Sequence, residues 1–228
     1  YGEDSKRAAY DVVLQAESGF MFMNGTPESG PVKMPVALMD VLAAHQLKEG
    51  ILIALLQREQ DGKGKHVTVS LYDAAIASLC NQATNWLMSG MVPQAIGSLH
   101  PNICPYGETV TCKDGQMIVL AIGSDKQFET MCQLIGTPEL SKDLRYGNNT
   151  ERVRNRKELI NVLQAAFGNF ESDDILPKLI EANVPCGAVK DLQQVFNDEA
   201  ARALLLKEEI DGKETVRVRT SVFRINSV

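Results

Sequence analysis

The stretch VLAAHQLKEGILIALLQRE, residues 41–59, decides the fold class. Leucine, isoleucine and alanine dominate it, and its lysine and arginine fall on one side, which predicts a helix of about five turns at 3.6 residues per turn. Gly50 within it predicts a close packing contact. After a charged turn, the alternating run HVTVSL (residues 66–71) predicts a strand. A second helix, residues 74–89, is predicted to close at Gly90. Helix, strand and helix in this order favour the end of an α/β region with parallel strands.

The sequence before the long helix predicts a shorter helix that leads into a turn-rich segment. Residues 9–23 fit a helix that ends near Gly19, and NGTPESGP (residues 24–31) supplies turn residues. A short apolar run, residues 36–39, then reaches Asp40.

The character of the sequence changes after Gly90. Residues 91–107 carry three prolines and little periodicity, which is typical of a loop or linker. The sequence KDGQ between two apolar runs predicts a β-hairpin. The predicted elements beyond the loop are hairpin strands at 106–112 and 117–122, helices at 125–135, 151–170, 173–182 and 191–203, and strands at 184–189 and 215–220.

Composition excludes several classes of function. A formal charge of −6 argues against a general nucleic-acid binder, which usually carries a basic stripe over the phosphates. The five cysteines are scattered without a C-x-x-C pair, and the three histidines are far apart, so neither a disulfide framework nor a zinc site is expected. No apolar run approaches the ~20 residues that span a bilayer. We therefore expect a cytoplasmic protein, with an organelle matrix as the other option, and we expect this sequence to be the interior of a longer chain.

Two aspartates stand where chemistry is possible. Asp40 and Asp73 each follow a short apolar run and precede a helix. A structural role as helix N-cap explains both residues. A functional role is equally available, because ligands of open α/β sheets bind beyond the carboxyl ends of strands. A carboxylate there faces the positive end of a helix dipole and stays ionised, as a carboxylate nucleophile must. Spacing alone does not choose between the two.

Other motifs give weaker signals. The sequence GKGK at residues 62–65 lacks the phosphate-loop pattern, and no G-x-S-x-G elbow of a serine hydrolase occurs. His100 and Cys104 lie in a loop rich in glycine and proline, where a structural role is the simpler interpretation of each.

Longer strings carry a resemblance to a known family. The sequences GKGKHVTVSLYDAA (residues 62–75) and VPCGAV (residues 184–189) are the most distinctive segments. Further segments that resemble the same family follow in order through nearly the whole chain. The sequence resembles the class III coenzyme A transferases, the CaiB/BaiF family, which includes formyl-CoA and dicarboxylate CoA-transferases. The resemblance implies an α/β fold with the end of a Rossmann-like domain at residues 1–90, a small α+β domain at 91–189 and a return linker at 190–228. It also implies two chains interlocked as a homodimer.

The resemblance also implies a reaction and a site. Asp40, rather than Asp73, matches the aspartate that attacks an acyl-CoA and then carries coenzyme A as a thioester before a free carboxylic acid takes it over. Coenzyme A enters as part of the substrate, and no metal is expected. Contacts to the coenzyme are implied for Lys6 or Arg7, Tyr10 and Leu71, a place near the acyl group for Gln15, and a loop over the aspartate for GSLH, residues Gly97 to His100.

Two rival functions remain open from the sequence. An acyl-CoA racemase shares this fold but needs an aspartate and a histidine as an acid–base pair, and residues 5–10 contain no histidine where the resemblance would require one. A non-catalytic CoA-binding or assembly protein is the other rival. For a transferase, a small dicarboxylic acid such as succinate or oxalate is the expected partner substrate.

Overall fold

Two compact units divide the chain between Leu99 and His100. The computed structural model describes residues 8–226 of the 228. The three-part division at residues 90 and 189 stays a prediction.

The first unit is mainly helical. In chain order its elements are α1 (Asp11–Glu17), α2 (Phe20–Met23), β1 (Gly25–Thr26), β2 (Gly30–Pro31), α3 (Leu38–Asp61), α4 (Leu71–Ala77) and α5 (Cys80–Ser89). Strands β1 and β2 form a small antiparallel pair in the turn-rich segment. The buried side chains of Leu14, Met39 and Ala75 hold α1, α3 and α4 together.

Helix α3 confirms the prediction for residues 41–59 and extends it at both ends. It ends because Gly62 adopts a left-handed conformation (φ +68°) and donates its N–H to the Arg58 carbonyl. The close contact predicted at Gly50 is confirmed, since a Cβ there would lie 2.8 Å from Cγ1 of Val67. The final turn and the packing of this helix thus follow from two glycines that the sequence displays.

The predicted strand at residues 66–71 is wrong. Residues 62–70 form no regular element, and α4 already begins at Leu71. Alternating β-branched residues favour extended backbone, but a strand also requires a hydrogen-bonded neighbour, and none pairs with this segment among residues 8–226. Every strand pairing in that range is antiparallel, so the parallel sheet stays a prediction.

The second unit combines a three-stranded antiparallel sheet with helices. Its elements are β3 (Tyr106–Thr111), β4 (Met117–Ala121), α6 (Asp125–Leu134), a 3-10 helix (Pro138–Lys142), α7 (Asn149–Arg154), α8 (Arg156–Phe167), α9 (Ser172–Glu181), β5 (Cys186–Ala188), α10 (Leu192–Asn197), α11 (Glu199–Arg202), β6 (Leu205–Ile210) and β7 (Lys213–Val218). The sheet order is β3-β4-β5, and β6 pairs with β7 alone. The predicted hairpin and the strand near residues 184–189 are confirmed. The mixed α/β class is therefore present in the chain.

Two long helices predicted in this unit are each broken. The helix predicted over 151–170 separates into α7 and α8 at Asn155, whose side-chain amide donates to the carbonyls of Arg145 and Glu151. The helix predicted over 191–203 is interrupted by extended backbone at Asp198, which ends α10 and caps α11. Asn and Asp favour such breaks because their short side chains compete for nearby backbone groups. Strand β6, rich in lysine and glutamate, was not predicted at all.

Arg152 of α7 is buried in the middle of the second unit, with 1% of its surface exposed. Its guanidinium donates to the carbonyls of Cys104 (2.8 Å) and Tyr146 (3.0 Å) and to the carboxylate of Asp125 (2.6 Å). It also lies over the ring of Phe128, 4.5 Å from the centroid. A buried charge is tolerated only when it is hydrogen-bonded, and here two main-chain carbonyls and one carboxylate accept from the guanidinium.

Cysteines pack into the same core. Cys104 and Cys132 are fully buried, whereas Cys80 of the first unit is exposed, and all five cysteines are free thiols. Burial raises the pKa of Cys104 to about 12, and the negative charge of Glu108, which accepts the Cys104 S–H, adds to the effect. Burial likewise raises the pKa of Cys132 to about 12.

None of the helices within residues 8–226 is long and apolar enough to cross a membrane.

Replacing Arg152 by methionine is expected to lower the free energy of unfolding by about 3 kcal/mol, because two buried carbonyls lose their donor. Arg154 is exposed and pairs with Glu151 along the same helix, so it provides the matched control. Arg154→Met is expected to change stability by at most about 0.5 kcal/mol. Urea unfolding of both variants measures the difference. Equal losses would show that the buried contacts of Arg152 contribute nothing special.

The buried thiols are expected to resist alkylation. A thiol whose pKa is about 12 stays protonated near pH 8, and only the thiolate attacks iodoacetamide. Cys104 and Cys132 should therefore react on the order of 10³-fold more slowly in native protein than in urea. Peptide mapping by mass spectrometry over time measures both rates, with exposed Cys80 as the internal control. Rapid native labelling of Cys104 would contradict the burial described here.

Candidate active site

Asp40 is the third residue of α3 and its side chain is exposed. The N-cap of this helix is Ala37, and Ser70 caps α4 by accepting the N–H of Asp73 at 3.2 Å. The structural interpretation of Asp40 and Asp73 as N-caps is therefore wrong, because both occupy the third position inside a first turn. The apolar run read as a separate element before Asp40 includes the start of the helix itself.

A carboxylate in this position is electrostatically favoured. The first turn of a helix presents unpaired N–H groups, and the aligned peptide dipoles of α3, a helix of 24 residues, add positive potential there. Within residues 8–226 no side-chain hydrogen bond or ion pair engages the Asp40 carboxylate. Among the described residues the side chain is thus exposed and without a partner, and a carboxylate nucleophile requires such access.

Side chains of α1 hold the backbone that leads to Asp40. Asp11 accepts the N–H of Met39 at 2.7 Å through Oδ1, and its Oδ2 accepts from Nε2 of Gln15 at 2.6 Å. Oε1 of Gln15 accepts the N–H of Met34 at 2.7 Å. Because Ala37 has no capping side chain, Asp11 supplies from another helix the acceptor that α3 lacks.

Gln15 is therefore buried, whereas a residue that contacts substrate is expected at an accessible surface. It is fully buried, and its amide is engaged by Asp11 and Met34. The contact with an acyl group implied by the resemblance stays a prediction. The sequence did contain a signal for the pair, since Asp11 and Gln15 are four residues apart on one helical face, but spacing could not show what they would bind.

The remaining residues implied by the resemblance lie in varied surroundings. Tyr10 precedes α1 and is 77% exposed. Leu71 begins α4 instead of lying on a strand, and it packs beside the cluster that contains Met39. Lys6 and Arg7 lie outside the described residues. Contacts of these four with coenzyme A stay predictions.

Gly97 belongs to the first unit and His100 to the second. Gly97 has a positive φ of +68° and donates its N–H to the Gly25 carbonyl at 2.6 Å. The N–H of His100 donates to the Tyr106 carbonyl at 2.9 Å. Both backbone donors are therefore already used, and binding an oxyanion with either one would require that bond to be given up.

The His100 side chain is also held. Its Nδ1 accepts the N–H of Asn102 at 3.1 Å, and its ring meets Tyr106 edge-on at 5.3 Å between centroids. Arg156 donates to the carbonyls of His100 (2.6 Å) and Ile103 (2.8 Å), so the loop is fastened to α8. The loop thus presents the His100 ring in one arrangement, with Nε2 as its unengaged ring nitrogen among the described contacts. Within residues 8–226, no three or more His, Cys, Asp and Glu side chains are grouped as metal ligands.

Comparison with known proteins confirms the resemblance. A family model described as CoA-transferase family III matches residues 1–227. Succinate–glutarate CoA-transferase from Agrobacterium fabrum is 33% identical over 218 residues, 94% of this chain and 54% of the relative. Acetyl-CoA:oxalate CoA-transferase from Acetobacter aceti is 33% identical over 202 residues, 87% of this chain and 51% of the relative.

A solved structure agrees with these relatives. A CAIB/BAIF family protein from Brucella suis has 35% sequence identity and a TM-score of 0.83, over 98% of this chain and 58% of that one. The chain spans about half the length of the curated relatives it matches. Since the family model covers nearly every residue, the chain belongs to CoA-transferase family III.

Proposed function

We propose that the complete protein transfers coenzyme A from an acyl-CoA to a free carboxylic acid, with Asp40 as the nucleophile. The resemblance to this family matches Asp40 to the nucleophile, and the observation that supports the assignment is its exposed carboxylate in the first turn of α3, a position that Asp73 shares in α4. The relatives named as succinate–glutarate and acetyl-CoA:oxalate CoA-transferases support a small dicarboxylic acid as one substrate. Those relatives favour neither a racemase nor a non-catalytic protein.

The first half of the reaction forms an enzyme-bound thioester. An Asp40 oxygen attacks the thioester carbonyl of the acyl-CoA, the C–S bond breaks, and coenzyme A leaves as a thiolate. The product is a mixed anhydride between Asp40 and the acyl group. The thiolate then attacks the Asp40 carbonyl carbon, which releases the first acid as a carboxylate and leaves coenzyme A on Asp40.

The second half reverses these steps with the acceptor. The acceptor carboxylate attacks the Asp40–CoA thioester, the thiolate leaves, and a second mixed anhydride forms. The thiolate attacks the acceptor's carbonyl carbon, which yields the new acyl-CoA and restores the Asp40 carboxylate. No net proton is taken up, because each step exchanges one anion for another. Every addition passes through an oxyanion, which needs hydrogen-bond donors in the complete site.

The proposal also includes coenzyme A binding by Lys6, Arg7, Tyr10 and Leu71 and substrate contacts by Gln15, Gly97 and His100. It further includes the Rossmann-like domain and the interlocked homodimer. Exposed apolar side chains support a larger assembly, since Leu52, Ile53 and Leu56 of α3 are each at least half exposed. Apolar surface of this kind usually contacts further protein. The proposed compartment is the cytoplasm or an organelle matrix.

The test is CoA exchange by the complete polypeptide. Succinyl-CoA is incubated with isotopically labelled glutarate, and label entering a CoA ester is followed by mass spectrometry. Asp40→Asn is expected to lower kcat at least about 10³-fold, because the nucleophile is lost. Intact-protein mass spectrometry without acceptor is expected to show coenzyme A attached to wild type and absent from the variant.

Asp73→Asn is the matched control, since Asp73 is also exposed at the third position of a helix. It is expected to keep kcat within about threefold of wild type, as surface substitutions rarely change free energies by more than ~0.5 kcal/mol. Exchange that survives Asp40→Asn but disappears in Asp73→Asn would place the nucleophile at Asp73. Wild type without exchange of succinate, glutarate or oxalate would reject the proposed reaction.

A further inference from the structure

We infer that Asp11 and Gln15 are positioning residues for the proposed reaction, because together they fix the turn from which Asp40 projects. The inference rests on the proposed function and gives Asp11 and Gln15 a role on the backbone, separate from the acyl contact proposed for Gln15. We refer to the two side chains, with the backbone N–H groups of Met34 and Met39 that they accept, as the α1–α3 latch.

The latch is a continuous chain of three hydrogen bonds. The Met34 N–H donates to Gln15, the Gln15 amide donates to Asp11, and the Met39 N–H donates to Asp11, at 2.7, 2.6 and 2.7 Å respectively. Gln15 Nε2 also faces the Val36 carbonyl at 3.5 Å, a long contact. This series of hydrogen bonds ends at Met34 and Met39, on either side of the segment that leads into α3. Met39 directly precedes Asp40 in the sequence.

Beyond Val32, whose N–H and carbonyl both bond to Asn24, few other hydrogen bonds among the described residues hold the segment that the latch spans. Residues 32–37 are exposed and form no helix or strand. Leu38 bonds only locally, to the Val36 carbonyl, and the helix cap Ala37 offers no side-chain acceptor. Met39 is buried and anchors the helix by apolar packing, but packing alone does not fix the rotation of a first turn. The directional hydrogen bond from the Met39 N–H to Asp11 fixes that rotation.

Each member of the pair has a fixed donor or acceptor role. Asp11 uses both carboxylate oxygens as acceptors, one for Met39 and one for Gln15. Asn at position 11 would turn one of these acceptors into a donor facing a donor. Glu at position 15 would still accept from Met34 but would place an oxygen against an oxygen of Asp11. Both changes preserve size and break one hydrogen bond of the chain.

Making both changes restores the pattern. In the double variant Asp11→Asn/Gln15→Glu, the new amide at position 11 donates to the new carboxylate at position 15, while its oxygen still accepts from Met39. The carboxylate at position 15 still accepts from Met34. All three hydrogen bonds of the latch are satisfied, with the negative charge moved by one helical turn. A coupling of this kind is detected by a double-mutant cycle.

The experiment measures kcat and KM of the complete protein for succinyl-CoA and labelled glutarate, with thermal unfolding in parallel. Each single variant is expected to lower kcat by about 10- to 100-fold, because displacing a reacting group by about 1 Å costs up to that much. The KM of Asp11→Asn for succinyl-CoA is expected to stay within about threefold of wild type, since Asp11 is not among the residues proposed to contact substrate. The double variant is expected to recover at least about tenfold in kcat over either single variant.

Gln164 provides the control for general loss of structure. Its amide accepts the Thr111 N–H and donates to the Thr111 carbonyl, both at 2.9 Å, in the second unit. Gln164→Glu breaks a similar amide–backbone pair and is expected to lower the unfolding temperature while leaving kcat unchanged. If it lowers kcat as much as Gln15→Glu does, the positioning role is overturned.

The remaining outcomes separate the two proposals. Wild type that exchanges CoA while the single variants keep full kcat would overturn the latch and leave the proposed function standing. A double variant no faster than the slower single variant would also overturn the latch, because the two side chains would then act independently. Wild type without any exchange would overturn the proposed function, and the latch with it.

Discussion

The start of α3 depends on one electrostatic requirement, that the first N–H groups of a helix be given acceptors from outside it. Ala37 cannot supply one, so Asp11 of α1 does, at the N–H of Met39. The same helices share the buried cluster of Leu14, Met39 and Ala75. The hydrogen bond from Met39 to Asp11 orients the first turn of α3, and the apolar cluster buries it against α1 and α4.

In the second unit, arginine side chains supply hydrogen-bond donors to backbone carbonyls that lack them. Arg152 and Arg156 donate to main-chain carbonyls of the loop that precedes β3, and Arg156 also pairs with the buried carboxylate of Glu108 at 3.1 Å. Irregular backbone cannot satisfy its own carbonyls as a helix or sheet does, and a planar guanidinium offers several donors at once. In both units, side chains from helices hold an irregular segment in one conformation. Loop order thus comes from side-chain-to-backbone bonds.

Sequence patterns predicted the elements that local rules govern. The helix at residues 41–59 and the hairpin on either side of KDGQ were predictable, because periodicity and turn chemistry act over a few residues. The strand at 66–71 was not, since alternation cannot supply a partner strand. Asp40 could be proposed only through family resemblance. Asp11 was missed because the N–H it accepts lies 28 residues further along the chain.

A division of labour at the helix start is compatible with the role proposed for Asp40. A carboxylate that caps a helix has its lone pairs directed at backbone N–H groups, whereas a nucleophile needs them free for a carbonyl carbon. In α3 the capping task belongs to Asp11, so Asp40 keeps the favourable potential of the first turn, and no side chain within residues 8–226 bonds to it. In α4, Ser70 takes the capping task, and among the residues that the structure describes the Asp73 carboxylate likewise has no partner. Freedom of the carboxylate is therefore necessary for the chemistry but does not select Asp40, and the difference must come from what lies opposite each helix start in the complete protein.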